Sequence, residues 1–470
     1  MHKIIFTFII SFLFISCSAL SPSLKTPNPK FSIPNECKDC DNALNFNKDW
    51  WLLFNDKDLN TLVEQALKNN SDIKLSLINY EKAIASLGIN RSSLLPKLNA
   101  SGGATKAKTN TKINNNFNLG LNLNYELDLW GKYRDNYFAS SKALDASIYD
   151  FESTRLSMIS TLVKLYFNSI NLYNQELILS QTLKDYQKNY NLKQEQFKVG
   201  AISEYELYSY KAQLDNAKVS IENIKLQKDN IDKAILILIG ANYDDILYKK
   251  LSFSKIKDYD ITIPKGISSK ILLLRPDIAA ALARLEQKNY LVGAARADFL
   301  PNISLTGLLG FASPTLNNLF SNQTWSGAAS GILPIFRWGE ISYNVDLAKL
   351  AKDEAYINYE NILKTTFGEV RTALLAYENA NNNEKNYKDI LNSQEKIYIL
   401  AQLKYENGSI SLNDLLSTKT NYLNAKLNFE NAIYTKISAI IDTIKAFGGG
   451  FDTKNTNIQK DIEKIDMNFR

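Results

Sequence analysis

From Phe117 to Leu129 the chain alternates without a break. Phe117, Leu119, Leu121, Leu123, Tyr125, Leu127 and Leu129 are apolar or aromatic, and Asn118, Gly120, Asn122, Asn124, Glu126 and Asp128 between them are polar or glycine. A period of two puts one face of a strand in apolar surroundings and the other in water. Half-buried strands of soluble proteins usually run about 5–6 residues. A membrane strand needs about 9–11, with lipid on one face and a polar interior on the other, and fits this run better. Lys97–Lys108 reads as a weaker partner strand across an Asn-rich loop, Asn110–Asn116. Ile303–Phe311 and Trp325–Phe336 form a second pair around a Pro/Asn/Ser loop. Each pair predicts one hairpin.

Elsewhere the period is helical. Short helices are predicted over Lys57–Asn69 and from Ser71 to about Leu95, where Pro96 ends the second. Two much longer helical stretches follow, Lys132 to about Lys198 and Glu340 to about Glu406, with apolar spacing such as Leu156, Ile159, Leu162, Val163, Leu165 and Phe167. Each would reach roughly 100 Å, with return stretches of roughly 60 Å, lengths that point to coiled coils.

The chain also repeats itself. Leu87-Gly88, Arg91 and Leu95-Pro96 return as Val292-Gly293, Arg296 and Leu300-Pro301, a shift of 205 (296 − 91). Trp130-Gly131, Gly200 and Gly240 return as Trp338-Gly339, Gly408 and Gly448, a shift of 208 (408 − 200). A long, regular repeat sets the architecture. The predicted organisation is a signal peptide at 1–16, a leader at 17–49, a first repeat at 50–240 and a connector at 241–270. A second repeat at 271–450 and a polar tail at 451–470 complete it. Strands fall at about 97–129 and 302–336, and long helices at about 132–240 and 340–447.

Two hairpins give four strands, and small membrane barrels begin at about 8. An open sheet edge in lipid leaves backbone groups unpaired. The chain must therefore oligomerise to close its sheet.

Composition narrows the function. The only long apolar run is Ile4–Ile15, so no internal helical membrane span is expected. A basic start, a short apolar core and a small residue at the cut make it a secretory signal. Its end, Phe14-Ile15-Ser16-Cys17, resembles a bacterial lipobox, which implies cleavage before Cys17 and acylation there; Ser18 after it implies outer-membrane sorting by analogy. Cys37 and Cys40 lie in a Pro/Asn/Asp-rich stretch without a strand or helix to support a redox site. They read as a structural or incidental pair, able to oxidise to a local disulfide in an exported chain. The only histidine is His2, inside the signal. The mature chain then has no Ser-His or Cys-His nucleophile and no His-ligated metal site. Carboxylate-based hydrolysis stays open on chemistry alone. No phosphate-binding Gly loop is present. No catalytic residue, metal or cofactor is expected. The net charge of +6 is spread among mixed Lys, Asp and Glu, which reads as solvated helix faces and not as a nucleic-acid surface.

Together these residues resemble the TolC/OprM-type outer membrane factors of tripartite efflux pumps. The carriers are Trp50-Trp51 with Phe54 and Asp56, Arg275-Pro276-Asp277-Ile278, Phe299-Leu300-Pro301, Leu333-Pro334-Ile335-Phe336 and the paired Gly200 and Gly408 turns. The lipobox resembles that of the OprM branch. The resemblance implies coiled-coil helices combined with membrane β-structure. Three chains would close a 12-stranded outer-membrane barrel, continued by a periplasmic helical barrel with a belt that includes residues 241–270. It implies a passive exit duct, with a periplasmic adaptor and an inner-membrane transporter of the resistance–nodulation–division type as partners and outer-membrane lipid around it.

Gly200, Gly408, Ser203 and Ser411 would then lie at adaptor-contacting periplasmic tips. Asp414, with its equivalent Glu206 (414 − 206 = 208), would line the gate. By symmetry the two would give a ring of six carboxylates; alternatively they are solvated acids at helix starts, where acids are stabilised anyway. Tyr405 and Tyr422 are gate-adjacent candidates. Trp130 and Trp338 would anchor the barrel at the membrane interface or pack where sheet turns into helix. Arg91 and Arg296 are expected to pair carboxylates between helices. A type I protein-secretion duct and a coiled-coil lipoprotein without a pore are the alternatives; the long alternating strand counts against the second.

Overall fold

The computed structural model describes residues 20–24, 47–109, 112–253, 261, 263, 275–451 and 465. Cys17, Cys37 and Cys40, and most of the connector and tail, lie outside these residues. The elements run α1 (Lys57–Asn69), α2 (Ser71–Ser92), β1 (Lys97–Thr109), β2 (Lys112–Leu127), α3 (Lys132–Lys198), α4 (Glu204–Leu238) and α5 (Tyr243–Tyr248). They continue with α6 (Pro276–Ala297), β3 (Asn302–Ser313), β4 (Gln323–Ile332), α7 (Glu340–Glu406) and α8 (Leu412–Ala446).

The predicted long helices form with the expected bounds, 67 residues each. Gly368 sits within α7 without ending it. One glycine costs only about 1 kcal/mol in a helix interior, a small sum against the length of the whole. The strands depart from expectation at their ends. The first loop is shorter than the Asn-rich run, because Asn114, Asn115 and Asn116 enter the ladder opposite Ala107, Lys106 and Thr105. Cross-strand pairing overrides the poor strand propensity of Asn. At the other end β4 stops at Ile332, before Pro334, which lacks the N–H a ladder needs. Leu333–Phe336 is therefore not strand; Ile335 and Phe336 are exposed.

The chain divides into two compact units, and each draws on both repeats. One comprises 1–30, 78–150 and 277–363; the other 31–77, 151–276 and 364–470.

The first unit holds the sheet. Its order is β1-β2-β3-β4, antiparallel throughout, and the β2–β3 pairing joins the repeats, from Phe117 opposite Ser313 to Leu127 opposite Ile303. The helices of this unit pack through Ile278, Ala281, Leu285, Tyr359 and Leu363.

The second unit holds the main apolar core. Trp50, Phe54, Leu59, Val63, Leu162, Val163, Phe167, Ile235 and Ile441 are buried there, and the Phe54 and Phe167 rings lie 4.8 Å apart. Asp56 starts α1 by accepting from the Asp58 and Leu59 N–H groups at 3.0 and 3.2 Å, and accepts a hydrogen bond from the Tyr166 hydroxyl at 2.8 Å. Arg275 bonds Glu369 at 2.8 Å and the Ala446 carbonyl at 3.2 Å. Trp50, Phe54, Asp56 and Arg275, which carry much of the sequence resemblance, thus hold helices together.

Candidate functional site

The sheet has two chemically distinct faces. Register places Ala100, Leu121, Leu309 and Trp325 side by side across all four strands, and likewise Gly102, Leu119, Phe311 and Gln323. Leu119, Leu121, Leu123, Leu309 and Trp325 are exposed on this face. The opposite face carries Asn99, Asn122, Leu308 and Ser326 in one row and Lys97, Asn124, Thr306 and Ala328 in another. The Ser304 and Ser330 hydroxyls meet on it at 2.8 Å. An apolar face this wide suits lipid, and the amide and hydroxyl face suits water. Among the described residues β1 pairs only with β2 and β4 only with β3, so both edges are open.

The two helical turns share one construction. α3 ends where Gly200 turns left-handed at φ +72°, and the Ala201 N–H returns to the Gln196 carbonyl at 2.8 Å. α7 ends where Gly408 does the same at φ +70°, and the Ser409 N–H returns to the Lys404 carbonyl at 2.8 Å. No neighbour crowds either glycine, so conformation and not space requires it. Ser203 and Ser411 then open α4 and α8 with the same backbone, φ −76° and ψ 159°. Each hydroxyl accepts an N–H three residues on, from Glu206 at 3.2 Å and Asp414 at 3.1 Å.

The equivalent acids differ in their surroundings. Asp414 completes a capping box, accepting from the Ser411 N–H at 3.1 Å and the Ser411 hydroxyl at 2.7 Å. These hydrogen bonds, the hydroxyl's first, hold its carboxyl below the usual carboxylate range. Glu206 instead reaches back to Lys193 at 3.1 Å. A ring of six free carboxylates is therefore not what the protomer offers. Asp414 is exposed and carries its charge; the charge of Glu206 is offset by Lys193.

Polar contacts join the helical hairpins near these turns. Lys193 lies 5.0 Å from the centre of the Tyr210 ring, and the Tyr210 hydroxyl donates to Asn413. Asp185 pairs with Lys419 at 2.7 Å. Further along, Asn174 meets Glu430 at 2.9 Å, Gln175 meets Asn431 at 2.8 Å and Lys164 pairs with Asp442. Sequence reading missed these residues, since apart from Lys193 and Tyr210 the partners lie more than 200 positions apart and leave no local pattern. Tyr422 stacks on Tyr398 at 5.6 Å, and burial, with Glu395, raises its hydroxyl pKa. Tyr405 is exposed beside the Gly408 turn, its carbonyl taking the Gly408 N–H at 2.9 Å.

The two tryptophans also diverge. The Trp130 indole N–H donates to the Pro301 carbonyl at 2.7 Å, which ties the end of β2 to the start of β3. Trp338 is 85% exposed and stacks edge-on with Phe336 at 4.6 Å. The expected carboxylate pairs of Arg91 and Arg296 do not form among the described residues. Arg296 donates to the Leu20 carbonyl at 3.1 Å, and Arg91 is exposed.

No cluster of His, Cys, Asp and Glu among the described residues could hold a metal, and no helix among them is long and apolar enough to cross a membrane.

Comparison with known proteins gives a consistent result. A family model described as outer membrane efflux protein matches residues 62–241 and 267–449. The cation efflux system protein CusC of Escherichia coli is 27% identical over 465 residues, covering 94% of this chain and 98% of CusC. The probable efflux pump outer membrane protein TtgC of Pseudomonas putida is 26% identical, covering 97% of each. The crystal structure of the CmeC outer membrane channel of Campylobacter jejuni superimposes with a TM-score of 0.90 at 44% identity, covering 96% of this chain and 100% of CmeC.

Proposed function

The chain belongs to the outer membrane efflux protein family, and on that premise we propose how it works as the exit duct of a drug efflux pump. The family is one of outer-membrane channels, not of enzymes. The observation that carries the reading is the two-faced, open-edged sheet of four strands. One copy cannot close it in lipid. Three copies give 3 × 4 strands, a closed barrel with the leucine face outward and the asparagine–serine face lining a water-filled duct. A duct holds no energy source, so transport is driven by an inner-membrane transporter of the resistance–nodulation–division type through a periplasmic adaptor.

The Gly200 and Gly408 turns are the adaptor-contacting tips, with Ser203 and Ser411 setting their geometry. Asp414 is the gate acid. Three copies form a ring of negative charge that favours cations and resists closure. Glu206 contributes to holding its own hairpin through Lys193 and less to the ring. Trp130 anchors the strand-to-helix junction. Trp338 is free to sit at the membrane interface.

The test is retention of a fluorescent cationic dye in cells with and without the gene, paired with planar-bilayer recordings of the purified protein. Higher retention without the gene, restored by the wild type, is expected, as is conductance that rises with Asp414→Ala. Unchanged retention together with a silent bilayer, even for Asp414→Ala, would overturn the duct. Unchanged retention with a conducting bilayer, and loss of a secreted protein from the medium, would replace drug efflux by protein secretion.

A further inference from the structure

Residues 20–24 do not trail loosely from the chain. The Ser21 hydroxyl donates to Asp135 Oδ2 at 2.9 Å, at the start of α3. Asn289 of α6 donates its amide to the Pro22 carbonyl at 2.7 Å, and Arg296, two turns on, donates to the Leu20 carbonyl at 3.1 Å. Leu24 packs on the cluster of Ile278, Leu285 and Leu363. Asp135 and Asn289 are only 4% and 6% exposed, although both are polar. Burial raises the pKa of Asp135, with the Ser21 hydroxyl bond acting against it. Gly293 makes the seat possible. A Cβ there would stand 2.1 Å from Asp135 Oδ2, 2.3 Å from the Ser21 hydroxyl and 2.7 Å from the Ser21 N–H nitrogen. Gly88, its counterpart in the first repeat, has nothing within 4 Å.

We infer that Asp135, Asn289, Gly293 and Arg296 form a binding groove for the extended leader segment Leu20–Leu24, and that this groove fixes the reach of the lipid anchor. The inference rests on the outer-membrane reading above and on acylation at Cys17. Leu20 is the third residue after Cys17, so the anchor can lie no more than about 10 Å from the groove. Among the described residues the next point of attachment is Lys48, paired with Glu152 at 2.6 Å, beside Asp49 on Arg155 at 3.2 Å. That point lies 31 positions from Cys17 (48 − 17), a reach of up to about 105 Å. The groove sets a far shorter tether than that. It holds the acyl chains beside the helices that continue from the strands, where they enter the same leaflet in which the barrel must be assembled. Short tethering raises the effective concentration of the anchor at that place.

A spin label at Ser23→Cys, in a Cys37→Ser/Cys40→Ser background, tests this in full-length acylated protein in membranes. An immobilised spectrum is expected in the otherwise unchanged protein and a dominant mobile component in Gly293→Val. Asn289→Leu, which removes one hydrogen bond without filling the groove, should give an intermediate spectrum. Trimer yield in the outer membrane should fall with label mobility while palmitate incorporation stays constant. Equal mobility in all three proteins overturns the groove. Mobility that rises with trimer yield unchanged overturns its role in placing the anchor. A wild type that binds its leader but conducts nothing refutes the duct reading and not the groove.

Discussion

The helices α3 and α7 are built to the same length from equivalent starting points, and they live in different surroundings. On α3, Phe151, Ile159, Leu162, Val163 and Phe167 are at most 1% exposed. On α7, Tyr343, Leu347, Leu350 and Ile357 are 63–70% exposed. The middle of α3 finishes its packing within one chain. The start of α7 presents an apolar surface that a single chain does not cover, although Tyr359 and Leu363 further along the same helix are buried. Such a surface is what a neighbouring copy would bury, and it accords with a sheet whose edges are open. The repeat supplies equal backbones, and symmetry between copies uses them unequally.

Four paired comparisons break or sharpen this contrast. The largest effect is expected from paired charges on α7. Leu347→Glu with Leu350→Glu should abolish trimers in native electrophoresis and leave the helical circular dichroism of the chain intact. Phe151→Ala on α3 should do the reverse, destabilising the protomer by about 3–5 kcal/mol in denaturant unfolding. If the α7 pair unfolds the chain, or the α3 change leaves its stability untouched, the contrast is wrong.

The turns repeat the lesson in charge. Asp414→Ala should move the reversal potential in a salt gradient toward that of a non-selective pore, and Glu206→Ala should move it less. The Asp414 pKa is depressed in the folded chain. Its carboxylate therefore stays charged below the ordinary Asp value of about 3.9. Its capping contribution is present above that value and lost as pH falls through the lower, folded one. Cation preference should accordingly survive acidification to about pH 4. Loss of preference well above that pH would show that Asp414 is not the group responsible.

Smaller effects follow at the caps. Ser203→Ala and Ser411→Ala should each cost about 1 kcal/mol, read as faster amide hydrogen exchange at the first turns of α4 and α8. The Ser411 change should cost more, because it also removes the hydroxyl that Asp414 accepts. Equal costs would argue that the capping box adds nothing. The smallest effect is at the tryptophans. Trp130→Phe loses the bond to Pro301 and should cost about 1 kcal/mol in thermal unfolding, whereas Trp338→Phe should leave the protomer's stability unchanged.

Much of this architecture was legible because it is written in local periods. The alternation at Phe117–Leu129 marked β2 and its two faces, and the paired Trp-Gly and Gly landmarks marked the bounds of α3 and α7 to the residue. The capping of α8 could be read from Ser411 three residues before Asp414. Strand ends were less legible, since Asn114–Asn116 reads as loop until a partner strand pairs with it. The Glu206–Lys193 pair and the seating of Ser21 on Asp135 were not legible at all.

The sequence by itself determined the repeat, the helices, the turns and the two-faced strands, because each depends on residues within a turn or a pleat of one another. Only the tertiary structure decided which equivalent residues become different. Gly293 receives the leader and Gly88 faces open space; Arg296 holds the Leu20 carbonyl and Arg91 is exposed; Asp414 caps a helix and Glu206 pairs with a lysine. The glycine and arginine differences come from a segment distant in the chain, which no local pattern of the repeat specifies, and the acid difference from a lysine on the facing helix across the Gly200 turn.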